Sequence, residues 1–201
     1  MSTVSTPYGF KPLYHRLGGT IRLLRYKDGI ASAYGSSIGK GCPIYFLSDG
    51  TIALLAAGGT SGCDGIFSHC SYTDAAGQRH VSNYWPASTT ATNIDVWIYP
   101  AQDIVFAVQS AGAIPKTAIG DNGDHVAGTV NTRTGLSADT LVGPGSLAGD
   151  GALAMFKIVG LVEKPGNAWG DTYTEVQVLV NEVGNAFLTT KGSGETAGNA
   201  I

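Results

Sequence analysis

The sequence predicts an all-β fold: an antiparallel sandwich or barrel built from hairpins, with an extended N-terminal arm and at most one short helix. Three observations carry that reading. Residues 93–109 alternate with a period of two, Ile94, Val96 and Ile98 against Asp95, Trp97 and Tyr99, then Ile104, Phe106 and Val108 against Val105, Ala107 and Gln109. Short apolar runs recur along the chain with Asp-Gly, Pro and Gly-rich turns between them. No heptad, repeat or long amphipathic stripe competes with them.

Residues 1–19 are read as an extended arm. Pro7 and Pro12 bias their predecessors towards extended backbone. Tyr8, Phe10 and Tyr14 fall within seven residues, which is unusual for a solvated tail and favours docking in a groove of another chain. A single β domain is expected over 20–188. Its first strand is TIRLLRY, residues 20–26, followed by a Ser/Gly-rich loop or edge over 31–40. Ser48-Asp49-Gly50 between residues 43–47 and 51–56 marks a tight hairpin. Asp74 to Gly77 marks another, between 65–72 and 78–84. Pro100 to Asp103 reads as the four-residue loop of a central hairpin over 93–109, because proline lacks the N–H that a ladder interior needs.

Residues 110–150 are irregular. A span of that length inside a compact domain implies either a functional excursion or short strands hidden from the pattern. Residues 134–141 fit one helical turn with Ser137 as its N-cap, and 129–131 fit a weak strand. The last pair of strands is expected over 152–162 and 173–181, joined by a polar loop that carries Trp169. Residues 189–201, Gly-rich, read as a flexible tail.

Composition narrows the function classes. Charged residues make up 13% of the chain and glycines number 29, which fits either a surface partly covered in an assembly or a loop-rich soluble β protein. The net charge of −3 does not point to a nucleic-acid partner. Its distribution is uneven. Six basic residues against one acid give residues 1–40 a formal +5, and six against fourteen leave −8 for the rest, so a basic segment facing an acidic partner surface is expected. Cys42, Cys63 and Cys70 are odd in number and irregular in spacing, unlike a disulfide framework, and fit manufacture in a cytoplasm. The first residues lack an apolar signal core, and no run approaches the ~20 apolar residues of a membrane helix.

Catalytic and metal signatures are weak. Cys63, His69, Cys70 and His80 lack zinc-site spacing, and Asp121 to Asp124 lacks the spacing of a calcium loop. No nucleophile elbow, phosphate loop or dinucleotide fingerprint occurs. No enzyme activity and no cofactor are therefore expected. Trp85, Trp97 and Trp169 leave open a sugar-stacking platform, with Trp169 the candidate for an exposed-loop contact.

Four passages carry a resemblance: PYGFKP (7–12), GIFSHCSYTDAAGQRHVSNYWP (65–86), DVWIYPAQDIVFAVQ (95–109) and KPGNAWGDTYTEVQVLVNE (164–182). Together they resemble the capsid decoration, or cement, proteins of tailed bacteriophages. The resemblance implies a structural virion protein made in the host cytoplasm. Such a protein binds the outside of the shell, often as trimers, and bridges neighbouring subunits of the major capsid protein. The expected docking residues are those of the basic aromatic arm and its continuation: Pro7, Tyr8, Phe10, Pro12, Tyr14, Arg16, Arg22 and Arg25. A virion-borne carbohydrate-binding module that uses exposed aromatics for host attachment is the alternative. Neither a nucleic acid nor a membrane is expected as partner.

Overall fold

A computed structural model describes residues 4–58, 62–148 and 154–181. Within them the chain is nearly all-β and antiparallel, in the manner of a sandwich built from hairpins. The strands are β1 (Lys11–His15), β2 (Leu24–Lys27), β3 (Ile38–Gly39), β4 (Pro43–Phe46), β5 (Ile52–Leu54), β6 (Gly65–Asp74), β7 (Arg79–Ser82) and β8 (Tyr84–Trp85). The second half of the chain adds β9 (Ala91–Pro100), β10 (Ile104–Gln109), β11 (Asn122–Gly123), β12 (His125–Val126), β13 (Thr140–Leu141), β14 (Phe156–Leu161) and β15 (Glu175–Val180). Two three-residue 3-10 turns, Lys116–Ala118 and Pro144–Ser146, are the helical content.

One sheet runs β1-β10-β15-β14-β11 and a second runs β2-β9-β6-β4-β5, with β7 also paired to β6. The core-facing side of the first sheet is set by alternation: Phe106, Val108, Val176 and Val178 point inward into a cluster with Ile66 of the second sheet and with Leu55 and Cys63 from the β5–β6 connection. The other face of the second sheet supplies Ile94, Val96, Ile98, Phe67 and Cys70. It is covered by Ile30, Ile38 and Trp85 from the 28–40 segment and the small β3–β8 ladder. Two apolar clusters thus share β6 and β9, the two longest strands.

Three of the hairpins read from turn chemistry are present: β4–β5 around Asp49-Gly50, β6–β7 around Asp74 to Gly77, and β14–β15. Gly77 takes a positive φ of 81° there, and the Asp74 carboxylate accepts from the backbone N–H groups of Ala76 and Gln78.

The central hairpin is a correction. β9 pairs with β2 and β6, whereas β10 pairs with β1 and β15. The four residues after Ile98-Tyr99 therefore carry the chain from one sheet to the other instead of folding it back on itself. The period-two pattern is common to both arrangements. What separates them is that every residue of β10 is buried, as befits a strand flanked by two others and covered on both faces.

Residues 110–148 contain the short strands that the pattern hides. β11 closes one edge of the first sheet, and β12–β13 forms its own ladder. The helical turn expected over 134–141 is absent. Ser137 is buried, and its hydroxyl accepts from the Asp139 N–H across a local turn that leads into β13. The strand expected over 129–131 reduces to one bridge between Asn131 and Leu136. The tail expected over 189–201 lies outside the described residues.

The N-terminal segment is the larger correction. β1 is a strand of the protein's own first sheet, with Lys11 opposite Ala107 and His15 opposite Ile104. Phe10 is 1% exposed and stacks on Phe156 with ring centroids 4.3 Å apart. The segment reaches this socket through a close approach of two glycines. Gly9 has φ +73°, and a Cβ there would sit 2.7 Å from the Gly41 carbonyl oxygen. The Phe10 N–H donates to that same oxygen at 2.9 Å. An arm ordered only by a neighbour does not describe residues 4–15.

Candidate docking surface

The residues singled out as a docking arm fall into three groups. Phe10 belongs to the core. Tyr8, half-buried, donates its hydroxyl to Glu175 at 2.7 Å, and Tyr14, 47% exposed, donates to Gln177 at 2.9 Å. Burial, and then the Glu175 carboxylate, push the Tyr8 phenol well above its ordinary range, so it stays protonated and keeps donating. Pro7 and Pro12 are half-buried along the same segment. These aromatics and prolines anchor the protein to itself. The physical reason is packing: Phe10 finds a socket against the Phe156 ring, where burial outweighs the gain of waiting for a partner.

The second group lies just beyond. Residues 16–25 form an exposed stretch in which Ile21 alone turns inward, onto the first core cluster. Leu17 is 72% exposed, and Leu23 and Leu24 are both more than a third exposed. Arg16 is held by Asp103 at 3.0 Å. Arg22 is exposed, and among the described residues no ion pair engages it. Exposed large apolar side chains within one short stretch that also carries a cation have the composition of an interaction surface and cost solubility otherwise. β1 and β2, which bracket this stretch, are terminal strands of the two different sheets.

Arg25 opens the third group. Its guanidinium forms an ion pair with Asp95 at 2.9 Å and lies 5.7 Å from the centre of the Trp97 ring. His69 stacks on Trp97 at 4.6 Å and 10°. Because β2 and β6 flank β9 on opposite sides, guanidinium and imidazole take opposite faces of the indole. Arg79 grips the second oxygen of Asp95 at 2.9 Å. Partial burial works against ionising Asp95, but hydrogen bonds from Arg25 and Arg79, and their charge, hold its carboxyl below the usual range. The result is a cross-strand ladder, cation–indole–imidazole, on the face of the second sheet opposite Val96 and Ile98.

The tryptophans do not present open rings. Trp85 is fully buried, both faces of Trp97 are covered, and Trp169 is partly buried against the first core cluster. Trp169 as an exposed-loop contact is thereby corrected: the polar loop folds its ring inward. The cysteines and histidines that a metal would need are scattered. Cys63 and Cys70 lie in different core clusters, and His80 pairs with Asp74 at the β6–β7 turn.

Sequence reasoning locates the basic residues of the docking surface but misses Leu17, Leu23 and Leu24 as exposed groups. The usable signal is the Gly18-Gly19 pair, both at positive φ, which follows β1 and breaks the extended run before β2. No protein-family model, curated protein or solved structure matches the chain.

Proposed function

We propose that the protein is a structural virion component that binds the outer surface of a phage capsid and braces neighbouring subunits of the major capsid protein. The observation that carries the reading is the exposed 16–25 stretch, with Leu17, Leu23 and Leu24 exposed and with Arg22 in no ion pair among the described residues. The resemblance of four sequence passages to decoration proteins supports it independently. So does a body tied together by long-range strand pairing, which suits a passive brace. Docking through a short, preformed stretch costs little ordering entropy, and repetition over a symmetric shell multiplies modest affinities, whether the protein docks as single copies or as trimers.

Attachment is thereby assigned to residues 16–25 and not to a strap made of residues 1–15. The carbohydrate-binding alternative draws no support from the three tryptophans, whose rings are covered. The test is co-sedimentation with purified capsids lacking this protein. A variant carrying Leu17→Ser, Arg22→Glu and Leu23→Ser should stay folded, because these side chains touch solvent, and should lose shell binding by at least about tenfold. Binding of the triple variant at the level of the unaltered protein would refute the assignment.

A further inference from the structure

A cleft of about 670 Å³ opens beside β1, within the size range of ligand pockets. Lys11, Ala107 and Glu175 share the sheet face turned away from the core, as their pairing register requires. The same cleft also reaches Leu13, Tyr99 and Leu136, which come from the strand's bulge and from other parts of the chain. It therefore wraps round the free edge of β1. That edge is blunted against strand addition, since Pro12 has no N–H to offer and the register slips between Pro12 and Tyr14. An occupant must be held by its side chains.

Charge selects the occupant. Glu175, 5% exposed, is the single acid in the lining, and both of its oxygens are taken, one by the Tyr8 hydroxyl and one by Lys164. Asn167 fixes its backbone on both sides, donating to its carbonyl and accepting from its N–H. Lys11 and Lys40 also line the cleft, and among the described residues neither forms an ion pair with an acid. The walls between them are apolar. Two unneutralised ammonium groups beside an apolar wall favour a carboxylate carried on an apolar body.

We propose that this cleft binds an extended acidic–apolar peptide segment, its carboxylates meeting Lys11 and Lys40 and its apolar side chains lying on Leu13, Tyr99 and Leu136. Assigning the segment to a capsid subunit rests on the proposed docking role; the cleft's selectivity for an anion does not.

The test is calorimetric titration of the full chain with a blocked hexapeptide of alternating leucine and aspartate. A matching peptide with asparagine in place of aspartate, and one with lysine, serve as comparisons. The aspartate peptide should bind at least ~10-fold more tightly than the asparagine peptide, about 1.4 kcal/mol. Lys11→Glu with Lys40→Glu should abolish that preference and shift it to the lysine peptide, with an unchanged near-ultraviolet circular dichroism spectrum. Lys11→Gln with Lys40→Gln should abolish it without the shift. Lys116→Glu, which lies outside the cleft, should change nothing. Equal affinity for the aspartate and asparagine peptides, or the same loss in Lys116→Glu, would overturn the site. Peptide selectivity accompanied by shell attachment that neither cleft variant weakens would overturn the assignment of the peptide to the shell. Neither result bears on the 16–25 surface, whose triple variant should still bind the peptide.

Discussion

Phe10→Ala separates an integral N-terminal strand from a docking strap. The ring is 1% exposed and stacked at 4.3 Å on Phe156, whose own side chain is fully buried. Truncating a buried phenylalanine costs about 3–5 kcal/mol, and the loss of a face-to-face ring neighbour places this site near ~4. With a urea dependence of about 2.5 kcal/mol per molar, the unfolding midpoint should fall by roughly 1.6 M. Tyr14→Ala is the internal comparison. Its side chain is half-exposed and gives up one hydrogen bond to Gln177, so its loss should stay under about 1 kcal/mol, or ~0.4 M. Urea titration followed by tryptophan fluorescence reads both. A Phe10→Ala midpoint within ~0.4 M of the unaltered protein would mean that the ring has no socket of its own, and the packing argument would fail. By the same reasoning, deleting residues 1–19 removes a strand and a core ring, so it should yield an unstable domain and not a folded one that merely fails to dock.

Thiol titration and backbone strain give two more expected outcomes. Burial pushes the thiols of Cys42, Cys63 and Cys70 up to about 12, while unfolded thiols ionise near pH 8.5. The folded state then holds protons that the unfolded state releases, so this stability is intact below about pH 8.5 and drains as pH rises towards 12. The slope is about 1.4 kcal/mol per pH unit for each thiol, roughly 4 for the three. The urea midpoint should drop steeply between pH 8 and 10.5, and a flat profile would contradict the burial; in the native protein at pH 7.5, Ellman's reagent should leave all three thiols unmodified. Gly9→Ala forces a left-handed backbone and a clash with the Gly41 carbonyl, costing at least ~1–2 kcal/mol. Its melting temperature should fall by about 3 °C or more, whereas Gly35→Ala, with open space around it, should melt with the unaltered protein.

Much of the fold was legible because local chemistry decided it. Asp49-Gly50 and the Asp74 to Gly77 turn admit few alternatives, and the strands on either side paired as their turns required. The 93–109 run shows where such reasoning stops. Period-two alternation marks a strand with two unlike faces, but it does not say which strands lie alongside, and β9 and β10 chose different sheets. β11, β12 and β13 are two residues long, too short to show any period. At the candidate docking surface the arginines were visible from charge clustering, while the leucines were not, because LLR reads equally well as a buried strand. Phe10 misled for a related reason: an aromatic near a terminus looks like an anchor, and only the tertiary partner Phe156, far along the chain, reveals whose anchor it is.

That distance has a kinetic consequence. β1 leans on β10, β10 on β15, and the ring of residue 10 waits for that of residue 156. During synthesis residues 4–15 leave the ribosome long before residues 156–180, which complete their seat. Closure of the first sheet is therefore a late, single event, and topologies of such high contact order fold slowly. A nascent chain stalled at residue 150 should leave residues 4–15 open to protease.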